Sequence, residues 1–395
     1  MVDVEATINA FAWMLLGAAV VGMLAWRIRL PYPVALVVCG VVAEETHLVS
    51  LPQLDPRVLL FVFLPPLLFD AAFRLDATEL RSAARSVLLL AVPGTVVTAA
   101  VVGGVLALVL HVPLTTAFLF GSIVAATDPV AVIAVFRGLN TPGRLTVIVE
   151  GESLINDGVA ITLYTVALGL VTADGANVLG ALTIFGREVI GGVVIGIVLG
   201  LIASRVTAAV DDHLIEMTLS TALAYGSYLI AQSLETSGAL ACVAAGLIHG
   251  SYGREIGMSE HTRRLLDDLW EYFGFVANAL VFLLVGFTAN LASLAALIWP
   301  VAVSILAVLG ARLLVILGPP LVRAGQITSP GERAVLIWGG LRGALTITLA
   351  LALPPELPDR QLLIGMAFGV VLFSLVIQGV SLPFLIKRAG LARSP

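Results

Sequence analysis

Charge is scarce in this chain. Only 12% of its 395 residues are Asp, Glu, Lys or Arg, against 59% hydrophobic residues and a mean hydropathy of +1.06, whereas a soluble chain carries roughly 25% charge. That excludes an ordinary soluble domain and makes the chain an integral membrane protein. Apolar windows recur from end to end without a long polar stretch between them, so residues 1–395 are expected to form a single membrane domain with no separate soluble domain. Cysteine is nearly absent: Cys39 and Cys242 lie in apolar surroundings, fit no disulfide or metal pattern and read as small core residues. No GxxxxGK[ST] phosphate loop is present, which argues against ATP-driven pumping and a nucleotide partner. HExxH and CxxC are missing, and GES at 151–153 is not a GxSxG elbow, so neither enzymatic chemistry nor a cofactor is expected. The net charge of −5 sits mostly in short loops and gives no sign of a nucleic-acid partner. His111, His213, His249 and His261 fall at span ends or loops and read as exposed or interfacial.

What is present is a succession of apolar runs. Length, flanking charge and Gly or Pro punctuation give thirteen candidate spans, centred near residues 18, 38, 65, 98, 124, 158, 193, 225, 245, 280, 308, 343 and 373, the second and ninth being short. The N-terminus lacks the basic leader and small-residue cleavage site of a removable signal, so it reads as a retained first span with its N-terminus outside. In that orientation sixteen Lys and Arg fall on the inner loops, from Arg27 to Arg393, and three, Arg57, Arg187 and Arg360, on the outer ones. The asymmetry supports the orientation and a cytoplasmic C-terminus, because cytoplasmic loops are enriched in basic residues.

Thirteen spans also divide into six, a connector and six. A shift of seven spans inverts the second half relative to the first, the inverted-repeat plan of many secondary transporters. The sequence interrupts one helix in each half at corresponding places. In span five Pro129 of ATDPV (126–130) cannot donate to the carbonyl of Ala125, and in span twelve WGGLRGA (338–344) puts three glycines around Arg342. Broken backbone at mid-membrane is tolerated where it is buried in protein or lines a watery cavity, so a cavity is expected where the halves meet. GVVIGIVLG at 192–200 is a weak match to a small-residue helix contact.

Ionisable residues inside a span are costly and therefore functional candidates. Asp157 lies about 11 residues into span six, roughly 16 Å at 1.5 Å per residue, which is the midplane; Asp128 and Arg342 come out at similar depth. Glu152 and Asp157 point about 140° apart on the helix, whereas Ser153 shares the Asp157 face and Asn156 the Glu152 face. Glu152 is thus expected to pair with Arg342, with Asn156 bracing that pair, since a buried ion pair survives where either partner alone would be prohibitive. Asp157, Asp128, Ser153 and the carbonyls freed around Thr127 remain as an oxygen-lined site suited to a hard monovalent cation. A carboxylate in that setting, desolvated and near a second one, takes either a proton or a cation, never both. This competition is the minimum requirement for an antiporter. Asp70 reads as a rim or entry residue, and Glu150, on the Asp157 face nearer the cytoplasm, as a solvated residue of the mouth. Arg312 in span eleven needs a partner that the sequence does not name.

Four motifs together, FLPPLLFDAA (63–72), AATDPVAVIAVF (125–136), EGESLINDG (150–158) and GGLRGALTITLAL (339–351), resemble the NhaP-type sodium/proton antiporters, relatives of the animal sodium/proton exchangers. The similarity runs in order over nearly the whole chain. It implies an all-α polytopic homodimer of about thirteen helices per protomer, with a core carrying two crossed, broken helices and a dimerisation subdomain. It implies Na+ (or Li+) bound at Asp157, Asp128, Ser153 and Thr127, with Glu152, Arg342 and Asn156 in support. The Asn156-Asp157 pair resembles the electroneutral branch, where one carboxylate exchanging one Na+ for one H+ moves no net charge. Many relatives carry Glu after LPPLLF; this chain carries Asp70, shorter by one methylene, and so departs from the family pattern there. K+/H+ exchange on the same scaffold is the alternative, and a channel a more distant one. A prokaryotic plasma membrane is the expected location.

Overall fold

A computed structural model describes residues 4–28, 31–46, 59–172, 178–210, 212–287, 291–318 and 329–392. Arg29, Arg57, Arg323 and Arg393, part of the loop-charge asymmetry, lie outside the described residues.

Among the described residues every regular element is helical. Seven stretches are long and apolar enough to cross a membrane: Ala77–Val109, Gly143–Thr172, Leu179–Thr207, His213–Ser233, Glu260–Phe287, Ile298–Leu317 and Arg360–Arg388, with shorter apolar helices at Phe11–Arg27 and Leu114–Ile123. In chain order the α-helices of eight or more residues are α1 (Val4–Ile28), α2 (Tyr32–Glu45), α3 (Leu64–Arg74), α4 (Ala77–Ala91), α5 (Pro93–Val109), α6 (Leu114–Ile123), α7 (Val130–Gly138), α8 (Gly143–Thr172), α9 (Val178–Thr207), α10 (His213–Ser233), α11 (Gly238–Ile248), α12 (Glu260–Phe287), α13 (Ile298–Leu317), α14 (Pro330–Trp338), α15 (Ala344–Leu351), α16 (Arg360–Phe373) and α17 (Gly379–Arg388).

Local chemistry sets the helix ends. The Asp76 side chain accepts from the amides of Thr78 at 2.7 Å and Glu79 at 3.0 Å, starting α4; the Glu79 and Thr78 amides in turn hold its carboxyl below the ordinary carboxylate range. Pro93 occupies the first position of α5, where its missing N–H costs nothing, and so allows the bend between α4 and α5. Ser329 and Glu332 form a reciprocal capping box that starts α14. Packing then depends on small residues. On α9, a side chain at Gly192 would meet the Ser237 carbonyl at 2.5 Å and one at Gly200 the Ala245 carbonyl at 3.0 Å, while one at Gly196 would overlap the Ala241 carbonyl. The glycine ridge therefore seats α11 directly on α9, so the sequence match at 192–200 marks a real contact.

Both anticipated interruptions are present. α6 ends at Ile123 and α7 begins at Val130; α14 ends at Trp338 and α15 begins at Ala344. The two unwound segments touch: the Asp128 amide donates to the Leu341 carbonyl at 2.8 Å. A side chain at Gly343 would overlap the Asp128 carboxylate, so only glycine permits this approach. Each break thus satisfies part of the other's backbone.

Two local expectations change. Cys242 is buried as expected and Cys39 half-buried, but His249 is fully buried rather than interfacial. It sits in a π-helical turn, His249–Gly253, with Nδ1 at 3.3 Å from Ser204 Oγ and its ring against Phe73. The aromatic side of α3 closes over a position that sequence alone puts at a span end.

Candidate cation site

α8 carries the central residue. It is 30 residues long, and Asp157 falls halfway along it. Asp157 Oδ1 is buried without a hydrogen-bond partner, in the wall of a cavity of about 390 Å³. The same cavity is lined by Thr127, Asp128, Ser153, Asp70 and Glu150, so six residues singled out from the sequence meet in one space. Five of them come from α8 and the first break, and Asp70 comes from α3 across the cavity.

The first break is held from α8. Asn156 Nδ2 donates to Thr127 Oγ1 at 2.6 Å, Asn156 Oδ1 accepts from the Thr127 amide at 3.3 Å, and Ser153 Oγ donates to the Thr127 carbonyl. Thr127 therefore cannot rotate without breaking contacts to two residues of α8. Asp128 serves helix ends as well as the cavity. Its Oδ1 accepts from the Val130 amide at 3.0 Å, and the carboxylate lies beside Gly343 and the Ala344 amide. One carboxylate thus faces the positive N-termini of two half-helices, α7 and α15. Arg342 does the converse. Its Nε donates to the Val124 carbonyl at 2.6 Å and an Nη to the Gly340 carbonyl at 2.5 Å, so it answers the negative C-terminal end of α6 and its own unwound turn.

This corrects the expected ion pair. Glu152 is bound by Arg312 of α13, Nη1 to Oε1 and Nη2 to Oε2, the latter at 2.9 Å. Arg312 Nε additionally donates to the Leu336 carbonyl at 3.0 Å. Arg342 lies close by, the two guanidinium groups flanking Gly340, but its Nε and Nη1 go to backbone carbonyls that the break has freed. Asn156 likewise braces Thr127 and not the ion pair. The signal for the right partner was in the sequence: Arg312 is the single charge in a 20-residue apolar helix, and Glu152 was the buried carboxylate that faced away from the cavity. The helical-wheel division of α8 holds, with Glu152 on one face in the ion pair and Asp157 on another in the cavity wall.

Toward the cavity mouth, Asp70 pairs with Arg74 at 3.0 Å, and Arg74 also reaches Glu271 at 2.9 Å. A side chain at Gly274 of α12 would overlap the Asp70 carboxylate. Glu150, two turns before Asp157, stands 3.9 Å from Arg137, whose side chain is 68% exposed. The polar lining also includes Asn278 of α12, Thr346 and Thr348 of α15, Arg137 of α7 and Arg74 of α3, none of which stands out as a site residue in the sequence. Among the described residues no three His, Cys, Asp or Glu cluster as a metal site would require. The donors here are carboxylate, hydroxyl, amide and carbonyl oxygens, the set that suits a hard cation.

The comparisons agree with this architecture. The family described as "Sodium/hydrogen exchanger, transmembrane" matches residues 15–388. The Na(+)/H(+) antiporter NhaH of Halobacillus dabanensis is 36% identical over 376 residues, covering 91% of this chain and 92% of its own. The Na(+)/H(+) antiporter ApNhaP of Aphanothece halophytica is 39% identical over 367 residues, covering 92% and 70%. Among solved structures, the sodium proton antiporter MjNhaP1 of Methanocaldococcus jannaschii superposes with a TM-score of 0.81 at 20% sequence identity, covering 98% of this chain and 99% of its own, and so shares the fold. The chain belongs to the sodium/hydrogen exchanger family of multi-pass membrane transporters.

Proposed function

We propose that the protein is a secondary antiporter that exchanges Na+ (or Li+) for H+ by alternating access, with Asp157 as the shared carboxylate. The observation that carries this is Asp157 itself: a carboxylate halfway along a membrane helix, with a buried oxygen that no protein donor satisfies, in the wall of a cavity lined by further oxygens. A buried carboxylate without a donor is stable when it holds a proton or a cation. Thr127, Ser153 and Asp128 supply additional oxygens, and the two hydrogen bonds from Asn156 fix Thr127 in place. The Glu152–Arg312 pair anchors the back of α8, so that its front can exchange ligands without the helix shifting.

The cycle follows from the competition. Na+ entering at Arg137 and Glu150 displaces the proton of Asp157; the loaded form moves; Na+ leaves on the far side and a proton replaces it. The empty, ionised form leaves an unpaired charge in hydrocarbon and does not cross, which couples the two fluxes. One carboxylate and one cation make the exchange electroneutral, one for one. The working assembly is a homodimer in the plasma membrane, each protomer having thirteen spans in inverted repeats of six with the two broken helices crossed. The N-terminus lies outside and the C-terminus in the cytoplasm, with the core moving against the dimerisation subdomain.

Purified protein in proteoliposomes with an internal pH dye tests this reading. Na+ and Li+ should move protons with or without a clamped membrane potential, and Asp157→Asn should be silent. Exchange driven by K+ at equal rate would assign the scaffold to K+/H+ antiport, and exchange surviving in Asp157→Asn would refute the shared-carboxylate mechanism.

A further inference from the structure

Several threonine hydroxyls in the membrane helices of this chain turn back to the carbonyl four residues earlier. Thr95 bonds Ala91 at 2.7 Å, Thr98 bonds Gly94 at 2.8 Å, Thr162 bonds Gly158 at 2.9 Å and Thr348 bonds Ala344 at 2.9 Å. Such a bond satisfies a polar group where no water is available. Thr346 is different. The residue four before it is Arg342, in the unwound segment, and the Thr346 hydroxyl makes no such bond. Thr346 is fully buried, and its Oγ1 has no hydrogen-bond partner.

Thr346 lines the cavity that Asp157 lines, and Asp157 Oδ1 is the other buried, unpartnered oxygen in that cavity wall apart from the ion-paired Asp70. Leaving either oxygen unsatisfied is unfavourable, so two of them in one cavity have a common explanation in something that binds between the helices bearing them. Thr346 stands one turn beyond Gly343, which touches Asp128, so the second broken helix lines with Thr346 the same cavity that the first break lines with Thr127 and Asp128.

We propose that Thr346 is a further cation-contact residue, giving its Oγ1 to the alkali cation held at Asp157 and thereby setting selectivity among Li+, Na+ and K+. This rests on the antiport reading above. A neutral hydroxyl adds a hard oxygen ligand without adding charge, so it strengthens cation binding without changing the one-for-one exchange. Selectivity among alkali cations depends on the number and spacing of such oxygens. Small cations give up more hydration energy on entry, so the loss of one protein oxygen weakens Li+ and Na+ more than K+.

The test compares wild type, Thr346→Val, Thr346→Ala and Thr346→Ser in proteoliposomes, with KM and maximal rate measured for Li+, Na+ and K+. The two variants without a hydroxyl should raise the KM for Na+ and Li+ by roughly three- to tenfold, as expected for one lost polar ligand, with a smaller change for K+ and little change in maximal rate. Thr346→Ser should restore the wild-type KM. Thermal stabilisation of the detergent-solubilised protein by Li+ and Na+ should fall in parallel, which reads binding independently of turnover. Wild-type KM values and cation ratios in both Thr346→Val and Thr346→Ala overturn the proposal, as does a lost maximal rate with KM unchanged. In either case wild-type exchange leaves the antiport reading standing, whereas wild type moving no protons for any cation defeats that reading itself.

Discussion

Arg312 holds Glu152 through both terminal nitrogens of its guanidinium, in a pair whose side chains are 8% and 2% exposed. The pair joins α8 to α13 across a span of sequence, and Arg312 extends the link to α14 through the Leu336 carbonyl. Removing one partner strands a buried charge, which typically costs about 3–5 kcal/mol, whereas replacing both with apolar residues is often nearly neutral. Arg312→Met should therefore lower the melting temperature in detergent far more than the double variant Glu152→Leu/Arg312→Met. A double-mutant cycle should find strong coupling between positions 152 and 312 and weaker coupling between 152 and 342. Equal coupling in both cycles would return Glu152 to Arg342.

Arg342 has a separate prediction because its donors go to backbone. Arg342→Met leaves the Val124 and Gly340 carbonyls without their donor, a loss of about 1–3 kcal/mol for each buried group. Glu152→Gln should not relieve that loss. Melting curves of the single and double variants check it.

Asn156 is the brace of the first break. Asn156→Ala removes bonds to both the hydroxyl and the amide of Thr127 and should cost about 1–3 kcal/mol. Because Thr127 then loses its orientation, the KM for Na+ should rise while Asp157 stays in place. An unchanged KM in proteoliposomes would mean that Thr127 takes no part in binding.

Gly343→Ala puts a methyl group where the Asp128 carboxylate lies. Forced overpacking of this kind costs about 1–3 kcal/mol. Transport should fall sharply, since Asp128 can yield only by leaving the half-helix N-termini it faces. Wild-type transport and melting temperature in Gly343→Ala would show that the two breaks are not packed together.

Arg137 stands exposed at the mouth beside Glu150. An exposed pair at 3.9 Å adds little stability, roughly 0–1 kcal/mol, so Arg137→Ala should leave the melting temperature unchanged. It should lower the KM for Na+ at low ionic strength by removing a repelling charge, and the effect should fade as salt screens the mouth.

Much of the site was legible because membrane helices make charge conspicuous. Asp157 and Asp128 stood out in apolar runs, Pro129 and the glycines around Arg342 announced the breaks, and the helical period separated Glu152 from Asp157. The partner of Glu152 was not legible, since it depends on which of two arginines loses its donors to freed carbonyls, a matter of tertiary packing. Thr346 reads like any helical threonine in the sequence, and its unpaired hydroxyl shows only once the residue four before it, Arg342, is seen to lie in the unwound segment. His249 sat at a span end by sequence, and its burial depends on Phe73, far earlier in the chain.

The shared carboxylate at Asp157 is tested most directly by the KM for Na+ in proteoliposomes as a function of pH. If proton and cation compete for one site, KM rises as pH falls, approaching about tenfold per pH unit once Asp157 is mostly protonated, while the maximal rate extrapolated to saturating Na+ stays constant. A KM that does not change with pH, with activity lost only through the maximal rate, would place the proton on a different group and contradict the mechanism.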